Sequence, residues 1–196
     1  MVNDKCIVIP AAGASTRRGR PKQLVEYDGD TLIRRAVRVA FEALPHVIVV
    51  VGCEDSAVRK EISDLPAIAV DNPEWEKGMG KSISVGVQAA VDRYPGLEAV
   101  LVHLCDLPTI DSDHLQALLT YQQKTKADLI YTKYKDTKGV PAVFGRKFFG
   151  DLVFLDGDRG AKHLIGRMDD ARKDYVEFQG AFVDIDLPED LGEFGS

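Results

Sequence analysis

The chain has 196 residues, 45% of them hydrophobic and 29% charged, with a formal net charge of −6 at pH 7; this length predicts one domain over residues 1–196 that buries ~70% of the surface its unfolded chain exposes. The acidic balance argues against nucleic acid as a partner, because duplex binding needs a basic face over many phosphates. No apolar run approaches the ~20 residues of a membrane helix, the opening Met-Val-Asn-Asp-Lys is no signal peptide, and Cys6, Cys53 and Cys105 are odd in number and far apart, so they read as core residues of a cytoplasmic protein rather than as bridges or zinc ligands.

In chain order, Cys6–Pro10 reads as a first buried strand, followed by helix over Thr31–Leu44, strand over His46–Val51, helix over Ser56–Leu65 and strand over Ile68–Val70. Helix over Lys81–Tyr94, strand over Ala99–Leu104, helix over Asp113–Lys124 and strand over Leu129–Tyr131 continue the alternation. Runs such as Val47-Ile-Val-Val-Val are apolar at consecutive positions, which implies cover on both faces and hence a mostly parallel, Rossmann-like sheet in a three-layer α/β domain. From Lys133 to Phe144 the pattern changes to a small β-ribbon around Asp136-Thr-Lys-Gly139, then a helix from Arg146 and a loop from Leu155 to Ala161. This last part is expected to cover the ligand site, at the carboxyl ends of the parallel strands.

The densest chemistry follows the first strand, in Pro10-Ala-Ala-Gly-Ala-Ser-Thr-Arg-Arg-Gly-Arg-Pro-Lys22. Gly13 and Gly19 let backbone N–H groups approach an anion, and Arg17, Arg18, Arg20 and Lys22 supply charge, so the loop predicts a phosphate site. It is neither of two familiar phosphate loops: Arg20 and Pro21 separate Gly19 from the Lys a P-loop needs next to its glycine, and Gly13-Ala-Ser breaks the dinucleotide Gly-x-Gly. Asp106, just past the strand Ala99–Leu104, projects a carboxylate towards the same cleft, suited to a Mg²⁺ that keeps several waters. Asp184 and Asp186 lie two apart in an extended segment and can share a face; Asp184 is the better second metal contact, while Asp186 also fits an N-cap completed by Glu189. Gly78-Met-Gly-Lys-Ser82 fails as a Walker motif, since Trp75 stands where its outer Gly belongs; it fits a helix N-terminus whose N–H groups and Ser82 hydroxyl meet part of a nucleotide. The four histidines form no triad or metal pair by spacing and read as packing residues.

The pattern A-A-G-x-S-x-R-x-G-x-x-K, with Pro21-Lys-Gln-Leu24, Gly78-Met-Gly-Lys-Ser82 and Gly86, Cys105-Asp-Leu-Pro108, Gly139-Val-Pro141, Gly157-Asp-Arg-Gly-Ala161 and Asp184-Ile-Asp-Leu-Pro-Glu-Asp-Leu191, resembles the MobA-like nucleotidyltransferases, and within them the molybdenum cofactor cytidylyltransferase branch. The resemblance implies the fold of the nucleotide-diphospho-sugar transferases. It also implies a reaction in which a phosphate monoester attacks the α-phosphorus of an NTP and releases pyrophosphate. Such an acceptor is already largely dianionic at neutral pH, so neither a protein nucleophile nor a strong base is needed. Residue by residue, Ala11, Ala12, Gly13 and Ala14 resemble the backbone cradle of the nucleotide. Arg17 and Lys22 resemble the cations on the triphosphate, and Ser82 a base or ribose contact. Asp106 with Asp184 or Asp186 resembles the Mg²⁺ pair, and Pro141, Asp158 and Gly160 the acceptor contacts. Leu107, Val140 and Lys162 replace the branch's usual Gln, His and Arg, which keeps a sugar phosphate open as the acceptor. Ala12 stands where the guanylyl branch commonly has Gly, and a methyl on the floor of the base pocket favours CTP over GTP. The implied partners are an NTP, a molybdopterin-type acceptor and, transiently, a molybdoenzyme or its chaperone, with no nucleic acid and no membrane. A guanylyl- or sugar-phosphate nucleotidyltransferase, or a nucleotide-binding protein without turnover, are the alternatives.

Overall fold

The computed structural model describes residues 4–13, 21–52, 55–157, 160–167 and 172–180. Its strands are β1 (Lys5–Pro10), β2 (Glu26–Tyr27), β3 (Asp30–Thr31), β4 (Val47–Val51), β5 (Ile68–Asp71), β6 (Ala99–Val102), β7 (Leu129–Lys133), β8 (Lys138–Gly145) and β9 (Lys173–Glu177). Its helices are α1 (Leu32–Ala43), α2 (Asp55–Ile62), α3 (Met79–Arg93), α4 (Ser112–Thr125), α5 (Phe149–Val153) and α6 (Ala161–Arg167). Apart from the small β2–β3 hairpin, the strands form one seven-stranded sheet in the order β5-β4-β1-β6-β8-β7-β9. Every pairing in it is parallel except the two that β8 makes, with β6 and with β7. The expected mostly parallel α/β architecture is therefore what the chain adopts.

Strand residues alternate between two cores. Ile7, Ile9, Val47, Val49 and Leu101 pack with Leu32, Ile33 and Val37 of α1, Val58 of α2 and Leu115 and Leu118 of α4. Cys6, Val8, Ile48, Val50 and Val102 pack with Ile83 and Val87 of α3, Leu152 of α5 and Leu164 of α6. Covering both faces of β4 leaves all five of its residues buried, which is why the run is apolar without alternation. Helix starts follow side-chain caps: Thr31 accepts from Arg34 N–H and Asp111 from His114 N–H. Cys6 and Cys105 are buried free thiols, as their apolar surroundings suggest; Cys53 lies outside the described residues. Among the described residues no helix is long and apolar enough to cross a membrane.

Three elements differ from the sequence expectation. The β-ribbon is not laid over the site: its strands are β7 and β8, built into the sheet through Val102↔Ala142 and Ile130↔Val143, and only the hairpin tip reaches the cavity described below. Strand β9 is an unanticipated edge strand, pairing with β7 alone; Lys-Asp-Tyr-Val-Glu has no apolar run because an edge strand is half solvated. The loop before Ala161 gives way to the short helix α6. His103 is 1% exposed, and burial holds its imidazole neutral, down to about 3, with nearby His114 adding to the effect. Thr132 Oγ1 donates to Pro141 O at 2.7 Å, so His114 Nε2, 2.9 Å away, must carry the proton it shares with that hydroxyl.

Candidate active site

The chain leaves β1 for β4 and β5 on one side, then returns to β6 on the other side of β1. That reversal opens a crevice between the carboxyl ends of β1 and β6, the usual ligand position of an open α/β sheet. Just past β1, Ala11 N–H donates to Val50 O at 2.8 Å, which continues the strand's direction. Ala11 and Ala12 are each 1% exposed and turn their methyls into opposite cores. A Cβ built on Gly52 would lie 2.8 Å from Trp75 Cβ and 2.9 Å from Ala12 Cβ, so the Ala12 methyl is packed against that wall. This corrects the argument that it forms the floor of a base pocket: the two alanines offer a ligand their backbone only. Gly13 is exposed, with open space where its side chain would be.

Sequence reasoning gave Gln23 no role, yet it holds this limb of the loop. From the short turn Lys22–Leu24, buried Gln23 donates through Nε2 to Ala11 O at 2.9 Å and Gly13 O at 2.7 Å. Two carbonyl acceptors fix which end of the amide is nitrogen; Oε1 is buried without a hydrogen-bond partner among the described residues. Gln23→Leu keeps the bulk and removes both bonds. It is expected to cost about 1–3 kcal/mol and to raise the KM for the ligand this loop holds several-fold, with kcat at saturation changed less. Thermal unfolding and initial rates check this, and an unchanged KM would show that the clamp does not shape the site.

Across the crevice, Asp106 follows β6 in a turn, and Lys22 Nζ donates to Asp106 Oδ2 at 2.9 Å. Their side chains are 16% and 19% exposed, sheltered enough for the charges to be felt strongly and open enough for a ligand to reach them. Asp106 Oδ1 is buried and has no hydrogen-bond partner among the described residues. One carboxylate oxygen thus neutralises a lysine while the other is free for an additional cation. The adjacent Cys105 is no nucleophile, because burial, reinforced by the Asp106 charge, pushes its thiol up to about 12.

Beside Asp106 lies a cavity of about 280 Å³ whose apolar wall includes Met79, Ile83, Val102, Leu107, Tyr134 and Val140. The hairpin tip closes it through Tyr134, which donates its hydroxyl to Val140 O at 2.6 Å. Gly160 lines it, 3.3 Å by its virtual Cβ from Met79 Sδ. The start of α3 is tied to the same region by Gly80 N–H donating to Gly157 O at 2.9 Å. Pro141 is one step removed: it is buried in β8 with its carbonyl taken by Thr132, while its neighbours Gly139 and Val140 reach the cavity. Ser82 is 3% exposed and accepts from Asn72 Nδ2 at 3.1 Å, so its hydroxyl ties α3 to the end of β5. Ala14, Arg17, Asp158, Asp184 and Asp186 lie outside the described residues. Among those described, no group of three or more His, Cys, Asp or Glu is arranged to hold a metal. Asn72 and Tyr134 carried no sequence signal, since their roles arise from partners distant in the chain.

The family model of the MobA-like NTP transferase domain matches residues 7–172. The chain is 28% identical to the purine catabolism protein PucB of Bacillus subtilis over 194 residues, covering 93% of this chain and 92% of that one. It is 24% identical both to a probable molybdenum cofactor guanylyltransferase of Bacillus cytotoxicus, covering 67% and 69% of the two chains, and to the molybdenum cofactor cytidylyltransferase of Escherichia coli, covering 54% and 53%. Among solved structures, the Mycobacterium sp. strain JC1 homologue of Mycobacterium tuberculosis Rv0371c superposes with a TM-score of 0.79 at 26% identity, covering 98% and 96%.

Proposed function

Because the chain belongs to the MobA-like NTP transferase family, and is a nucleotidyltransferase of that family, we propose that it moves CMP from CTP to the phosphate of a molybdopterin-type cofactor, in one domain, with Mg²⁺ and release of pyrophosphate. The observation that carries this reading is the Lys22–Asp106 pair at the crevice, with Asp106 Oδ1 buried and unpartnered. A hard divalent cation takes one or two carboxylates plus substrate phosphates, and that oxygen fits such a cation. Asp184 or Asp186 is the second carboxylate. When bound, the ion supplies charge neutralisation at the reacting phosphates.

The chain's own groups then position and neutralise. The backbone at Ala11, Ala12 and Gly13, held by Gln23, with Ala14, cradles the nucleotide. Lys22 and Arg17 meet the triphosphate and the charge that grows as pyrophosphate leaves. Asp106 orients Lys22 through its 2.9 Å contact. The acceptor's phosphate needs no base, being largely dianionic, and it approaches the α-phosphorus from the cavity side, lined by Gly160 and by Gly139 and Val140 next to Pro141, with Asp158 as a further acceptor contact.

The choice of cytidine rests on the Gly78–Ser82 segment and on likeness to the cytidylyltransferase branch, now without the Ala12 argument. Equimolar CTP and GTP with purified molybdopterin-type acceptor, products resolved by mass, are expected to give the cytidylyl product in at least tenfold excess. A guanylyl excess moves the base. Turnover with sugar phosphates alone moves the acceptor, and nucleotide binding without pyrophosphate release removes the enzyme.

A further inference from the structure

Strand β8 carries a bulge of two residues. Its register with β7 runs through Tyr131↔Ala142 and then jumps to Thr132↔Gly139, and its pairing with β6 stops at Val102↔Ala142, so Val140 and Pro141 have no ladder partner on either neighbour. Bulges of this kind re-aim side chains beside active sites. The two carbonyls that the ladder leaves over are each taken by a hydroxyl from the opposite limb of the hairpin: Thr132 Oγ1 donates to Pro141 O at 2.7 Å, and the Tyr134 hydroxyl to Val140 O at 2.6 Å. Both side chains are held in turn from outside the hairpin. Thr132, fully buried, accepts from His114 Nε2 of α4 at 2.9 Å, and Phe178, whose N–H donates to Lys133 O at 2.9 Å, makes T-shaped contacts with His114 and Tyr134 at centroid distances of 5.0 and 5.9 Å. Val140 and the Tyr134 ring line the cavity of about 280 Å³, whereas among the described residues its lining includes neither Thr132 nor His114.

We infer that Thr132 and Tyr134, backed by His114, are positioning residues: they hold the β8 bulge in the one shape that keeps Val140 in the cavity wall, and so fix how wide a ring the cavity admits. The inference rests on the nucleotidyl-transfer reading for placing the acceptor here, and adds to it the residues that select among acceptors by size. Without its hydroxyl partner, a carbonyl in this mostly apolar wall is drawn outward to water, because a buried acceptor left unpaired is costly. A ring seated on a displaced wall then loses its contacts. Since Thr132 and His114 stand behind the wall, any effect of theirs on binding passes through the bulge.

The test uses indole as a neutral ring probe, titrated into the full chain and read from the amide NMR shifts of Gly139 and Val140. Wild type is expected to bind it saturably. Thr132→Val and Tyr134→Phe, which keep the bulk and remove one hydroxyl each, are expected to weaken binding about tenfold, His114→Leu about threefold, and Thr132→Ser, which keeps the donor, by less than about twofold. In turnover, the Val and Phe variants are expected to raise the acceptor KM about tenfold and to leave the CTP KM within about twofold. A purely structural role would lower the melting temperature of these variants and leave both the indole affinity and the acceptor KM as in wild type, and that result would overturn the inference. So would an absence of indole binding to wild type, or a Ser variant as impaired as the Val variant. Failure of wild type to turn over a pterin acceptor, with indole binding still weakened in the Val and Phe variants, rejects the proposed acceptor and leaves the positioning role standing.

Discussion

Asp106→Ala is expected to lower kcat about 1,000-fold while the protein stays folded. The magnitude follows from the role: a carboxylate that organises a cation and a lysine around transferring phosphate contributes roughly 4 kcal/mol of transition-state stabilisation, and each ~1.4 kcal/mol is tenfold in rate. The fold survives because Asp106 sits in a turn beyond β6 rather than in either core. Removing one partner of a fully buried pair costs about 3–5 kcal/mol, but the Lys22 side chain is 16% exposed and can regain water, so the loss should be well below that. Asp106→Asn separates charge from shape, since its amide oxygen still accepts from Lys22. It should lose nearly as much activity with almost no loss of stability. Pyrophosphate release and circular dichroism measure the two quantities. Full turnover in a folded Asn variant would take Asp106 out of the chemistry, and unfolding of both variants would make it a structural residue.

How much of this was legible depended on whether a residue's meaning is local. The runs Cys6–Pro10 and Val47–Val51 declared a doubly covered parallel sheet because every position is apolar, and all of their residues but the half-buried Pro10 are buried. Lys22 and Asp106 were each visible as charges after a strand. Their ion pair spans 84 residues and exists because β6 returns beside β1, a fact of topology rather than pattern. Ala12 was misread for the complementary reason: a small residue beside a glycine suggests room for a ligand, but its methyl is buried against Gly52 from another segment. Edge strand β9 escaped notice because half-solvated strands lose the apolar run. The hairpin tip does reach the cavity beside Asp106, but its strands gave no sign that β8 inserts antiparallel between β6 and β7.

Gly86→Val is expected to leave most of the chain unfolded, and Gly86→Ala to lower the melting temperature by about 2–8 °C. Gly86 is buried on the face of α3 that lies on the sheet, and a Cβ there would fall 2.8 Å from Val50 Cγ2 and nearer still to Val8 Cγ1. Both valines are fully buried and β-branched, so neither side chain can swing away. Alanine gains up to ~1 kcal/mol of helix propensity over glycine, against an overpacking cost of about 1–3 kcal/mol. With contacts this short to side chains this stiff the cost lies in the upper part of that range, about 2–3 kcal/mol, so it wins by about 1–2 kcal/mol, and each kcal/mol moves the midpoint by roughly 2–4 °C in a domain of this size. Valine adds two more methyls to the same gap and loses helix propensity, a cost comparable to a marginal domain's whole stability of ~5–15 kcal/mol. Gly96→Ala is the control: nothing lies within 4 Å of its virtual Cβ, so it should shift the midpoint by less than about 2 °C. The lesion also has a functional signature, since α3 carries Met79 and Ile83 into the cavity wall. Lifting α3 off β1 and β4 should raise the acceptor KM of the folded Gly86→Ala protein more than its NTP KM. A variant as stable as wild type would mean that α3 is not seated on Val8 and Val50 as closely as the structure has it.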